Sequence, residues 1–298
     1  SKTVAEGGSM YEQSSGSASL IMALQTVGLP VLWALVGIGL QRWLVGPQAQ
    51  SGSKLAQSPA PLLLGAALAA GFWVSAGWIR GSWGLPPAQA MDVLVLAPWL
   101  LLAGEWAWAR LGFGLRVLLA LLLSAGLVVW MLWPILSRGT VLEALGAVML
   151  VLVLFALPYI SLQAPKLAQQ QALFWLAGVA LAAPIVALDG TLLLAQLCGV
   201  LASLLGVLWL ASLLPLGLGS LRLLGPGMAL LLYCAAYFYA DIHPLALALP
   251  ALGVGAGALL SLRWGCSNRL VEALRTLVLG GVATAAAAWL VWPQGSMY

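Results

Sequence analysis

Apolar residues in this chain come in long unbroken runs, with the polar residues gathered into short breaks between them. Read against breaks of charge, glycine and proline, the runs number ten: 20–44, 60–79, 92–109, 113–136, 140–162, 168–188, 191–214, 223–240, 245–262 and 270–292. An α-helix needs roughly 20 such residues to cross about 30 Å of hydrocarbon. The runs are continuous rather than alternating, unlike the period-two pattern of a membrane barrel. The pattern therefore predicts an all-α, polytopic transmembrane helix bundle of about ten spans. The one sizeable connection is "VGPQAQSGSKLAQSP", residues 45–59. Residues 20–298 thus read as one transmembrane domain, preceded by a polar tail over residues 1–19.

Composition strengthens this picture. The chain is 63% hydrophobic and only 7% charged, with a mean hydropathy of +1.05. A soluble domain carries about 25% charged residues because its surface must satisfy water. Most of this chain must instead face lipid or other helices. The tail "SKTVAEGGSMYEQSSGSAS" lacks the basic n-region of a signal peptide and reads as a native, uncleaved terminus.

Charge gives the bundle an orientation. Alternate breaks fall on two faces, and one collects nine of the twelve Lys and Arg: Arg42, Lys54, Arg110, Arg116, Lys166, Arg222, Arg263, Arg269 and Arg275. The other holds Lys2, Arg80 and Arg138, together with Glu6, Glu12, Asp92, Glu143, Asp189 and Asp241. Lys and Arg are retained on the cytoplasmic side while acids count for little. Both termini are therefore expected outside, on the periplasmic side of a bacterial inner membrane. Trp43, Trp78, Trp83, Trp108, Trp133, Trp264 and Trp292 fall near predicted span ends, where amphipathic rings favour the headgroup level. The stretches "GVGAGALL" (253–260), "GGVATAAAAW" (280–289) and "GAALAAGFW" (65–73) predict helix faces that approach closely.

Candidate chemistry is sparse. Cys198, Cys234 and Cys266 show no metal or disulfide spacing, and His243 is the single histidine. The basic residues are dispersed rather than clustered, which argues against nucleic acid as a partner. No phosphate-binding loop, nucleophile elbow, zinc-protease or dinucleotide motif is present. No cofactor, metal or enzymatic activity is expected. Asp92 and Asp189 precede helical runs and read as amino-terminal caps, and Thr140 with Glu143 forms a capping-box pattern. "VLEALGAVML" (141–150) and "LVEALRTLVL" (270–279) match weakly and suggest two inverted halves, although "LGFGLRVLLALLL" (111–123) pairs differently with "LGLGSLRLLGPGMALLL" (216–232).

Two groups of residues carry the functional candidates. Asp241 and His243 flank a turn at Pro244 on the predicted outer face, which Asp189 shares. An aspartate beside a histidine can form an acid–base pair or supply two metal ligands, but no third ligand stands nearby. A solvated turn with a capping aspartate is the simpler reading. The second group centres on Glu105, in "PWLLLAGEWAWARLGFGLR" (98–116). An ionisable side chain inside a span is a functional candidate because burying it is costly. Pairing with Arg110, or with Arg116 across the "LGFG" turn, would reduce that cost; a role in proton or substrate handling is the alternative.

The expected function is a non-catalytic membrane subunit, an accessory or scaffold that packs among lipids and other integral membrane proteins in a larger complex. The alternative is a ten-helix transporter of a neutral or weakly charged solute. In size and helix count the chain loosely resembles the drug/metabolite transporter superfamily. That resemblance implies a five-plus-five helix permease, but the superfamily generally keeps its termini inside, contrary to the charge distribution here.

Overall fold

A computed structural model describes residues 18–45, 60–83, 89–108, 110–111, 113–137, 171–189, 191–213, 223–264 and 269–292. Every regular element among these is helical, as the unbroken apolar runs require. In chain order they are α1 (Leu29–Val45), α2 (Ala60–Arg80), α3 (Ala90–Trp108), α4 (Phe113–Leu136), α5 (Gln171–Asp189), α6 (Leu192–Leu213), α7 (Leu224–Tyr239), α8 (Pro244–Trp264) and α9 (Arg269–Val291). Six described helices are long and apolar enough to cross a membrane: Ala18–Leu44, Leu62–Arg80, Ala90–Ala107, Leu118–Leu136, Leu192–Leu213 and Leu270–Val291. Three further apolar segments, Ala172–Leu188, Leu224–Tyr239 and Pro244–Gly257, are shorter. The expected span 140–162, with Thr140 and Glu143, lies outside the described residues.

The first span is interrupted near its start. Leu24–Gly28 forms a π turn, in which the Leu29 N–H reaches Leu24 O, and Pro30 follows. Proline has no N–H to give to the carbonyl four residues back, which here belongs to Thr26. The Ser203 hydroxyl of α6 stands 3.1 Å from that Thr26 carbonyl and 2.8 Å from Gly199 O in its own helix, so its one proton is shared between the two. A side chain of one helix thus reaches the opened carbonyl of another, as a lipid environment favours.

Neighbouring helices pack in antiparallel pairs, α1 with α2, α5 with α6, and α8 with α9. The core lies around α7, which touches α3, α4, α5, α6 and α8. Twelve of its sixteen residues are buried, which leaves it almost no lipid face. At 16 residues it is about 24 Å long, shorter than the hydrocarbon core. Gly227 lets α3 approach closely, since a Cβ there would stand 2.6 Å from Leu101 Cδ2. By contrast α1, α4 and α9 turn broad apolar faces outward, among them Leu32, Leu35 and Trp43, then Leu118, Leu122 and Trp133, then Leu274, Val282 and Trp289. Trp78, Trp83 and Trp292 are also exposed at helix ends.

Two tyrosine hydroxyls tie the core together. Tyr233 donates to Gly178 O of α5 at 2.9 Å and Tyr239 donates to Met131 O of α4 at 2.6 Å. Both acceptors are carbonyls inside helices, so these bonds cross from one helix to another.

Candidate functional site

Glu105 sits in the last two turns of α3 and is buried. Its Oε1 accepts from the backbone N–H of Leu223 and, at 3.3 Å, from that of Leu224. These are the first amides of α7. A helix begins with N–H groups that have no partner inside it, and in a bundle interior each needs one from elsewhere. Leu223 is apolar and makes no side-chain cap. The carboxylate from α3 takes that place, and its charge meets the positive end of the α7 dipole. Pro226, in the first turn, has no N–H to satisfy, and Gly227 N–H bonds Leu223 O at 2.8 Å. Placed in a first turn, Pro226 displaces no helical bond.

The two arginines of the predicted ion-pair group lie beside the α3–α4 turn. Arg110 places its guanidinium over the Trp106 ring, 3.6 Å from the centroid. Arg116 donates from Nε to Leu111 O at 2.7 Å, folding back across the turn. The structure thus brings Glu105, Arg110 and Arg116 to one end of α3, with the carboxylate directed to α7 amides.

A second buried charged contact was not anticipated. Arg80, the last residue of α2, bonds Asp92 Oδ1 through Nη2 at 2.5 Å, with both side chains more than nine-tenths buried. Asp92 Oδ2 accepts from Gln89 N–H at 2.7 Å. Gln89 therefore occupies the cap position, and Asp92 reaches back to it from the third residue of α3, as the acidic half of a capping box does. The sequence signal was present: a basic residue ends one run and an acid opens the next, on the same predicted face.

The outer-face group is a pair of helix boundaries. Asp189 ends α5, and its side chain lies outside the described residues. Thr191, not Asp189, caps α6: its Oγ1 accepts from Leu194 N–H at 3.3 Å. Asp241 follows α7 with φ of 52°, the left-handed conformation that commonly terminates helices. His243 is the cap residue of α8, its carbonyl accepting from Ala246 N–H at 2.9 Å. Pro244 opens α8, where proline's fixed φ suits the first helical position. The capping aspartate expected in this turn is instead a left-handed terminator. Asp241→Gly should accordingly hold or raise stability, by up to about 1 kcal/mol, while Asp241→Val should lower it by more than that. Detergent-unfolding midpoints would measure both, and a loss of stability on going to glycine would mean that the carboxylate itself makes a needed bond.

Among the described residues no group of three or more His, Cys, Asp or Glu is placed to hold a metal ion. No family model, no curated protein and no solved structure matches the chain.

Proposed function

We propose that this chain is a non-catalytic integral membrane subunit that packs inside a larger membrane assembly. One observation carries the reading: Glu105, the buried acid that most resembled a working group, is committed to the backbone of α7. Asp92 is likewise engaged by Arg80 and Gln89. The outward apolar faces of α1, α4 and α9 suit contact with lipid and with the helices of other proteins. On this reading the chain crosses a bacterial inner membrane about ten times, with both termini outside, following its basic residues. Extraction from native membranes in mild detergent, with crosslinking, should recover it bound to other membrane proteins. A solitary monomer would overturn the proposal, and reporter fusions that place either terminus in the cytoplasm would overturn the orientation.

A second reading is a permease for a neutral or weakly charged solute. It draws on α7, a short central helix whose amino end meets a buried carboxylate, since helix ends inside a bundle form solute sites in transporters. Water-filled access to Glu105, measured by thiol labelling of cysteines placed around it, would favour that reading.

A further inference from the structure

The end of α3 carries a preorganised cation. The Arg110 backbone N–H bonds Ala107 O at 3.0 Å and closes the last turn. The side chain lies above Trp106, with the guanidinium carbon 3.6 Å from the ring centroid. Trp106 is 50% exposed and Arg110 is exposed. A guanidinium carbon this close to the centroid packs on the indole face, and the N–H groups, which lie in the guanidinium plane, extend beyond that contact. Those donors meet no acceptor among the described residues. The nearby acid, Glu105, is buried, and its Oε1 accepts from α7 amides. Arg116 is held to the same turn through Leu111 O.

A tryptophan at a span end lies at headgroup depth. A guanidinium presented there offers the paired N–H geometry that phosphate oxygens accept. We propose that the Trp106–Arg110 pair binds the phosphate of an anionic membrane lipid. The inference rests on α3 spanning the membrane, and is independent of whether the chain is a subunit or a permease.

Native mass spectrometry of the full chain, with dioleoylphosphatidylglycerol against dioleoylphosphatidylcholine, tests it. The glycerol lipid should bind in preference, and Arg110→Gln should cut that preference about fivefold. Arg110→Lys should keep part of it, because the charge remains while the stack and the fork are lost; Trp106→Leu should also weaken it. Equal binding of the two lipids, or an unchanged preference in Arg110→Gln, would overturn the proposal. So would millimolar inorganic phosphate displacing the lipid, which would identify a site for free phosphate. All three variants should elute as the unaltered protein does, since both side chains are exposed. Misfolding of Arg110→Gln would assign Arg110 to the architecture and also refute the lipid site.

Discussion

Replacing Gly257 with valine is expected to force α8 and α9 apart and to destabilise the bundle by about 3 kcal/mol. A Cβ at this position would stand 2.7 Å from Thr276 Cα, a backbone atom that cannot rotate away. One turn earlier, a Cβ on Gly253 would meet Ala283 Cβ at 2.6 Å and Leu279 O at 2.8 Å. Gly253 and Gly257 thus form a G-x-x-x-G ridge against which the α9 backbone lies. In lipid the association of two such helices depends on close van der Waals packing, because hydrocarbon removes the hydrophobic drive. Gly255, between them, has nothing within 4 Å of its added Cβ. Gly255→Val should therefore cost much less, within about 0.5 kcal/mol. Detergent-titrated unfolding of the variants checks this: valine is a better helix former than glycine, so propensity opposes any loss, and equal losses at 255 and 257 would show that the close approach at 257 does not set the cost.

Glu105→Ala should destabilise the protein by about 2–4 kcal/mol, since it strands the Leu223 and Leu224 amides in a buried setting. Those amides open α7 and have no acceptor within their own helix. Glu105→Gln retains a carbonyl oxygen and should lose about half as much, the remainder being charge against the helix dipole. Unfolding midpoints and amide exchange at Leu223 and Leu224 report the effect. Alanine and glutamine variants as stable as the unaltered protein would show that the cap is dispensable. A glutamine variant that folds and assembles but fails in solute transport would move the assignment towards the permease.

Local properties of this chain are legible in its sequence, and long-range contacts are not. Nine of the ten apolar runs coincide with described helices, often to within two residues, because continuous hydrophobicity and its breaks are local properties. The small-residue stretch at 253–260 announced a tight interface for the same reason. The caps were less legible. Asp92, Asp189 and Asp241 each precede a helical run, and the local pattern treats them alike. The structure gives them three positions: a third-residue acid that reaches back and pairs with Arg80, the last residue of α5, and a left-handed terminator. Which role applies depends on backbone direction at one residue, and a pattern of polar and apolar letters does not encode it.

The Glu105 contact lay furthest from view. Its partners are backbone amides 118 and 119 residues away, and an amide leaves no trace in the identity of its residue. The charged residues close to Glu105 in the chain, Arg110 and Arg116, are the partners that the sequence displays. By itself the sequence determined a helical chain made for lipid, because 63% hydrophobic residues in unbroken runs leave no alternative surface. Only the tertiary structure decided which helix lies at the centre and what the buried acids hold. Those outcomes depend on which backbone ends the packing brings together, and main-chain groups are the same at every residue but proline.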